Sequence, residues 1–220
     1  MQDYKVIEVK RSIFEDNDAD AARLRDELKE HKTFLLNLMS SPGAGKTTTL
    51  RQTISRLTDE MRIGVMEADI DSDVDAATIA ETGARAIQIH TGGMCHLDAD
   101  MTRQGIHEFG TDDLDLVVLE NVGNLVCPAE FDTGSVKNAM ILSVPEGDDK
   151  PLKYPLMFSI CDVVLINKCD KLSVFDDFSQ EAVEERNKKL NPNAQVIFVP
   201  AKPGEGFDHR CDQLRQEEAD

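Results

Sequence analysis

The sequence predicts an α/β fold in which a mostly parallel central sheet is flanked by helices. Strand-like and helix-like segments alternate along the 220 residues. Several of the strand-like segments are apolar almost throughout, as in parallel sheets buried on both faces, and their long connections allow right-handed crossovers. Polar motifs follow several of these strands, at the carboxyl edge where such sheets bind ligands. Together these observations favour one α/β ligand-binding domain.

The first segment indicates a helix preceding that domain. Residues 12–31 place Ala21, Leu24 and Leu28 on one helical face, which predicts an amphipathic helix. We therefore divide the chain into an N-terminal extension, residues 1–32, and the α/β domain, residues 33–220.

The remaining elements follow from short apolar runs, which indicate strands, and from apolar residues three or four apart, which indicate helices. Strands are predicted at residues 33–39, 62–68, 85–90, 114–119, 137–144, 161–166 and 194–199. Helices are predicted at residues 46–57, 76–82, 97–109, 176–190 and 207–218.

Composition excludes several classes of protein. The chain has 24 Lys and Arg against 42 Asp and Glu, a formal net charge of −18, so we expect no nucleic-acid partner. No apolar run is long enough to span a membrane, and charged residues interrupt the first 18 positions, so we expect neither a membrane segment nor a secretion signal. The 5 Cys include no CxxC pair, which is typical of reduced thiols in a cytoplasm.

A phosphate-binding loop is predicted at Ser40–Thr47, with the sequence SSPGAGKT, between a strand and a helix. The pattern is GxxxxGK[ST] with Ser40 in place of the first glycine. Gly43 and Gly45 allow backbone N–H groups to face phosphate oxygens, Lys46 adds a positive charge, and the Thr47 hydroxyl is a ligand for Mg²⁺. The phosphate-binding residues are Gly43, Ala44, Gly45, Lys46, Thr47 and Thr48.

A base-recognition motif, NKCD, follows the strand at residues 161–166. The Asp170 carboxylate can accept hydrogen bonds from guanine N1–H and from the exocyclic amine, whereas adenine has no donors there. Asn167 would contact the base edge, and the stem of Lys168 would cover its face. Ala201 and Lys202 follow the last strand, where backbone N–H groups meet guanine O6. These residues predict GTP as the nucleotide.

A γ-phosphate sensor is predicted at Glu120–Gly123, with the sequence ENVG, in the position of the GTPase DxxG motif. Glu120 would hold Mg²⁺ through water, and the N–H of Gly123 would contact the γ-phosphate. Of the acidic residues 67–75, Asp69 is a candidate Mg²⁺ ligand and Asp75 a candidate for positioning water. Solvated or helix-capping roles remain alternatives for both. The predicted catalytic residues are Lys46, Thr47, Asp75, Glu120 and Gly123.

Cys95, His96 and Cys127 form a candidate soft-metal site, because thiolate and imidazole suit Ni²⁺ or Zn²⁺. Three ligands are one short of a closed tetrahedral site, so a second copy, water or another protein would complete it. Spacing alone favours small buried thiols, and the position of Cys127 favours the metal site. Cys127 lies four residues after Gly123, so movement of the nucleotide-sensing loop would move a metal ligand and couple the two sites.

Five segments together resemble the HypB family, the GTPases of nickel insertion into [NiFe]-hydrogenase. They are NLMSSPGAGKTT (37–48), TGGMCHLDADM (91–101), ENVGNLVCPAEFD (120–132), SVPEGDDKPLKYP (143–155) and INKCDKL (166–172). The resemblance runs from residue 33 to residue 206. It implies a P-loop NTPase of the signal-recognition and MinD-like GTPase class that hydrolyses GTP.

The resemblance also implies how the protein works. It implies a GTP-dependent homodimer with Ni²⁺ or Zn²⁺ bound at the interface by Cys95, His96 and Cys127. It places Lys150 and Lys153 near the partner's nucleotide, with ordinary surface charge as the alternative. The implied partners are a small nickel-binding accessory protein of the HypA type and the hydrogenase large-subunit precursor.

Two other functions remain open. The first is a GTPase that matures another nickel enzyme, such as urease, although residues 120–132 and 143–155 favour hydrogenase. The second is a metal-binding protein to which nucleotide matters little. Replacing Lys46 with Ala would leave the function of the second intact.

Overall fold

The computed structural model describes residues 5–8, 17–69 and 74–200, and gives only the backbone at residues 5–8, 69, 74 and 75. Eight parallel strands form one sheet in the order β1-β4-β3-β5-β2-β6-β7-β8. They are β1 (Lys5–Glu8), β2 (Phe34–Ser40), β3 (Ile63–Asp69), β4 (Arg85–His90), β5 (Leu116–Glu120), β6 (Lys137–Ser143), β7 (Val163–Asn167) and β8 (Gln195–Phe198). The predicted α/β class with a parallel central sheet is confirmed.

Seven described helices accompany this sheet. They are α1 (Asn17–His31), α2 (Lys46–Leu57), α3 (Val74–Ala80), α4 (Ala99–Phe109), α5 (Lys150–Lys153), α6 (Pro155–Ile160) and α7 (Gln180–Leu190). Single 3₁₀ turns occur at Cys127–Ala129, Val144–Glu146 and Cys169–Lys171. Within the described ranges, each helix is too short or too polar to span a bilayer.

The core lies in layers on the two faces of the sheet, because successive strand side chains point to opposite sides. One layer joins α2, through Ile54 and Leu57, to strand residues such as Val118. The opposite face carries two clusters. The first joins α1 and α4 to β2, β3 and β5, and the second joins α6 and α7 to β6 and β7.

The first predicted helix belongs to this core. Leu24 and Leu28 of α1 are fully buried and pack with Leu35 and Val117 of the central strands. β1 adds an edge strand that pairs with β4. The segment assigned to an N-terminal extension therefore contributes a strand and a helix to the same sheet and core as residues 33–200.

Several element boundaries differ from the prediction. The bounds of α2 and β4 match it, whereas α7 begins at Gln180 instead of residue 176. The side chain of Ser179 accepts a hydrogen bond from the Ala182 N–H at 3.1 Å and so caps the later start. β1, α5 and α6 were not predicted. The predicted tail helix at 207–218 lies outside the described residues.

Candidate functional site

The phosphate-binding loop connects the end of β2 to the start of α2. Gly43 and Gly45 have φ angles of 77° and 95°, in the left-handed region that glycine adopts without steric cost. The loop borders a cleft of about 450 Å³. The cleft is lined by Ser40, Ser41, Pro42, Gly43, Gly45, Lys46, Thr47, Thr48, Val122 and Gly123. The loop and the ENVG segment, far apart in sequence, therefore line one cleft.

The NKCD segment lies directly against the phosphate loop. The Asn167 side-chain amide donates to the Ala44 carbonyl at 2.9 Å, and the Lys168 ammonium donates to the Gly43 carbonyl at 3.0 Å. A Cβ added at Gly45 would lie 2.5 Å from Asn167 Nδ2, closer than atoms of this kind approach. Only glycine fits at position 45 while Asn167 keeps this place.

The rest of NKCD forms an exposed turn at the end of β7. Asp170 has an exposed carboxylate, and its neighbour Lys171 lies 3.5 Å from it. The Cys169 N–H donates to the Val199 carbonyl at 3.1 Å, which fixes this turn to the end of β8. Ala201 and Lys202 follow immediately and lie outside the described residues.

Glu120 contacts two residues that line the cleft. Its side chain is only 1% exposed, with the Lys46 ammonium 2.7 Å and the Thr47 hydroxyl 3.1 Å from Oε1. Among the described residues, no hydrogen-bond partner is found for Oε2. A carboxylate and a hydroxyl are oxygen ligands of the kind that Mg²⁺ prefers, so this donor set fits Mg²⁺.

Glu67 belongs to the acidic cluster at residues 67–75, although the sequence did not single it out. It is 3% exposed, and its Cα pairs with that of Glu120 across β3 and β5. Two buried carboxylates therefore lie on neighbouring strands at the carboxyl edge of the sheet. The side chains of Asp69 and Asp75, which the sequence favoured, lie outside the described part of the structure.

A ladder of asparagines holds the loop that follows Glu120. Asn121, fully buried, donates to Asn37 Oδ1 at 3.1 Å, and Asn37 donates to Asn138 Oδ1 at 3.0 Å. Asn121 Oδ1 also accepts from the Val122 N–H at 2.9 Å. Buried amides are costly unless they are paired, so this ladder fixes the orientation of the Glu120–Gly123 segment.

The two candidate metal-binding cysteines lie close together. A hydrogen bond with Cys127 raises the pKa of the Cys95 thiol above its usual value, and burial and the charge of Cys127 add to the effect. Cys95 Sγ lies 4.0 Å from His96 Nδ1. The His96 ring is 6% exposed and stacks on Phe131, with 3.8 Å between centroids.

The three predicted ligands do not form a closed site in one chain. In residues 17–69 and 74–200, no group of three or more His, Cys, Asp or Glu side chains is arranged to hold a metal. The structure brings the two thiols together and places His96 against Phe131. A single chain thus offers a thiol pair that needs further ligands.

The remaining predicted residues have clear positions. Neither Lys150 nor Lys153 lines the phosphate cleft of its own chain. Lys153 pairs with Asp149 at 2.5 Å, and the Lys150 ammonium lies 5.5 Å from the centre of the Tyr154 ring. Cys161 is fully buried, and burial raises the pKa of its thiol, as expected for a structural cysteine.

Comparison with known proteins reveals close relatives. Residues 34–198 match the family model described as CobW/HypB/UreG, nucleotide-binding domain. The hydrogenase maturation factor HypB of Rhizobium leguminosarum bv. viciae is 44% identical over 208 residues, 94% of this chain and 69% of the relative. The hydrogenase/urease maturation factor HypB of Helicobacter pylori strain J99 is 39% identical over 91% of this chain and 82% of the relative.

Solved structures agree with these matches. HypB from Helicobacter pylori in complex with nickel superimposes with a TM-score of 0.86 and 37% identity, over 92% of this chain and 95% of that one. HypB from Archaeoglobus fulgidus gives a TM-score of 0.85 and 36% identity, over 92% and 98%.

A distant neighbour supports the fold class. The signal recognition particle receptor FtsY from Elizabethkingia anophelis gives a TM-score of 0.54 at 13% identity, over 90% of this chain and 72% of that one, and so shares the fold alone. The expected P-loop α/β architecture is therefore confirmed by the HypB structures and the family model. The chain belongs to the HypB group of the CobW/HypB/UreG family of nucleotide-binding proteins.

Proposed function

We propose that this chain hydrolyses GTP and uses the nucleotide state to control the binding and release of nickel. The observation that carries this proposal is a shared loop. At the end of β5, Glu120 pairs with Lys46, and the segment that follows contains Gly123, which lines the phosphate cleft. A few residues later the same segment contains Cys127, which lies near enough to Cys95 to raise the pKa of that thiol. Rearrangement of this loop around a γ-phosphate would move one thiol of the pair.

The residues of the cleft have separate roles in hydrolysis. Backbone N–H groups around Gly43 and Gly45 bind phosphate oxygens, and Lys46 leaves Glu120 to neutralise charge on the β- and γ-phosphates. Thr47 and Glu120 would hold Mg²⁺, which supplies positive charge at the same oxygens. Asp69 as a further acidic ligand and Asp75 as the residue that positions water complete the proposed set.

Guanine recognition rests on the NKCD turn. Asn167 and Lys168 contact the phosphate-binding loop, so the turn is fixed relative to that loop. The Asp170 carboxylate, at the surface of this turn, would accept hydrogen bonds from N1–H and the amine of guanine. Ala201 and Lys202 would complete the base pocket.

Nickel is the proposed cargo, and hydrogenase maturation is the proposed setting. Relatives 39–44% identical carry the name hydrogenase maturation factor or hydrogenase/urease maturation factor, and one HypB structure is a nickel complex. The thiol pair suits Ni²⁺ and Zn²⁺ alike. A HypA-type accessory protein and the hydrogenase large-subunit precursor are the proposed partners, in the cytoplasm.

Dimerisation would complete the metal site with ligands from a second copy. The face formed by α5 and α6 carries Leu152, 64% exposed, and Leu156, 48% exposed, beside Lys150 and Lys153. Exposed apolar side chains beside charged ones are typical of an association surface. The same face on two copies can pair symmetrically and bring both lysines towards the partner's nucleotide.

The double variant Leu152→Asp/Leu156→Asp is expected to remain monomeric with a non-hydrolysable GTP analogue, whereas the unaltered chain dimerises. Four introduced carboxylates would face one another in the symmetric interface, and like charges there cost several kcal/mol. Molecular mass in GDP and in the analogue, with phosphate release from GTP recorded on the same preparations, measures both parts of the proposal.

The matched control is Val174→Asp, which charges another exposed apolar residue, 72% exposed, outside α5 and α6. This variant should dimerise normally. Dimers that form equally well in the Leu152→Asp/Leu156→Asp variant would contradict the assigned face. A chain that releases no phosphate from GTP in either state would contradict the proposed hydrolysis.

A role in urease maturation is the second candidate, because the Helicobacter pylori relatives bear both enzymes in their names. Deletion of the gene distinguishes the two candidates. Loss of hydrogenase activity that added nickel restores, with urease activity unchanged, supports the hydrogenase role.

A further inference from the structure

Helix α1 contacts both loops that carry the candidate metal-binding cysteines. One loop joins β4 to α4 and contains Cys95 and His96, and the other joins β5 to β6 and contains Cys127. The Asn17 side chain bridges them. Its Oδ1 accepts from the Ala99 N–H at 2.9 Å, and its Nδ2 donates to the Asp132 carbonyl at 3.0 Å. One amide thus fixes the end of the first loop to the second.

A second side chain of α1 strengthens the contact with the β5–β6 loop. Arg25 donates to both carboxylate oxygens of Asp132, at 2.5 and 2.6 Å, and to the Ser135 carbonyl at 2.8 Å. Both bonds to Asp132 come from Nη2, while Nε donates to Ser135, so one guanidinium contacts the loop at two residues. The loop also lies tightly against the helix, since a Cβ at Gly134 would be 2.8 Å from the Leu24 side chain.

These contacts lie next to the metal-binding positions in the chain. Ala99 is three residues after His96, and Asp132 follows Phe131, on which His96 stacks. The stack of His96 on Phe131 therefore forms between two loops whose separation α1 restrains, and Cys95 and Cys127 lie on the same two loops. A metal binds more strongly when its ligands are already held together, because less ordering is required.

We propose that α1 acts as a latch: through Asn17 and Arg25 it holds the two cysteine-bearing loops at a fixed separation. Asn17 and Arg25 are then positioning residues for the Cys95–Cys127 pair. This inference rests on the proposed nickel-binding function. It gives the N-terminal helix a role in metal binding, through contacts with loop backbone and with Asp132. Groups that orient metal ligands without touching the metal typically contribute about 10- to 100-fold to affinity.

The test is titration of the full chain with Ni²⁺ alone, followed by the thiolate-to-nickel absorption band. Asn17→Ala is expected to weaken Ni²⁺ binding by roughly 10-fold, because it removes both bridging hydrogen bonds. Arg25→Ala should act in the same direction. Asp26→Ala, an exposed carboxylate on the same helix, is the matched control and should bind nickel like the unaltered chain.

GDP affinity and the midpoint of thermal unfolding, measured on the same proteins, separate positioning from general damage. The latch predicts weaker nickel binding with GDP affinity unchanged. Nickel affinity that is unchanged in both Asn17→Ala and Arg25→Ala overturns it, as does a parallel loss of nickel and GDP binding. Unchanged nickel binding in Cys127→Ala would show that nickel does not bind at the thiol pair. That result would contradict the proposed function and the role of α1 that rests on it.

Discussion

Replacing Lys46 with alanine is expected to lower the rate of GTP hydrolysis by roughly 100- to 1,000-fold, the usual effect of removing one preorganised group that stabilises transition-state charge. In the structure Lys46 already points into the cleft, where its ammonium lies 2.7 Å from Glu120 Oε1. The variant loses the cation that would contact the β- and γ-phosphates and leaves Glu120 without this partner. Phosphate release under saturating GTP measures the effect.

Lys29→Ala, at an exposed lysine on α1, is the control and should hydrolyse GTP at the unaltered rate. The same variants test the alternative that the protein binds metal and depends little on nucleotide. A Lys46→Ala chain that still restores hydrogenase activity to a deletion strain would show that nucleotide matters little. Loss of that rescue, together with loss of hydrolysis, excludes the alternative.

Asp170→Asn is expected to weaken GDP and GTP binding by at least about 100-fold, since two hydrogen bonds to a charged acceptor are lost or distorted. The same variant should gain affinity for xanthine nucleotides. Xanthine carries a carbonyl where guanine has its amine, and the introduced amide can donate to it. Dissociation constants for GDP and for xanthosine diphosphate measure the change in specificity.

Asp177→Asn makes the same change at an exposed aspartate further along the chain and should leave both constants unaltered. Unchanged GDP affinity in Asp170→Asn would show that Asp170 does not contact the guanine base. Weaker binding of both nucleotides by the same factor would indicate damage to the turn instead of a change in base recognition.

Local patterns were sufficient to predict most of the fold. The apolar face of α2, with Ile54 and Leu57, predicted the helix with both of its bounds. The buried strands were recognisable from their continuous apolar runs. α5 and α6 were missed because each begins around a proline, Pro151 and Pro155, and each is shorter than two helical turns. β1 was missed because four residues carry too little pattern to indicate an edge strand.

The motifs of the candidate site were likewise visible, because each follows a strand and the carboxyl ends of parallel strands share one edge. The ladder from Asn121 through Asn37 to Asn138 could not be predicted from the sequence. Asn37 is about a hundred residues from each of its two partners, so no local pattern connects them. The stack of His96 on Phe131 also depends on tertiary packing. Such contacts exist only once the loops are brought together.

The most direct test of the proposed coupling is Ni²⁺ and Zn²⁺ titration of the chain loaded with GDP or with a non-hydrolysable GTP analogue. Molecular mass is recorded in the same samples, and Cys127→Ala is measured beside the unaltered chain. Coupling through the β5–β6 loop predicts that metal affinity and stoichiometry change with the nucleotide, and that Cys127→Ala abolishes the difference. Identical metal binding in the two nucleotide states would contradict it.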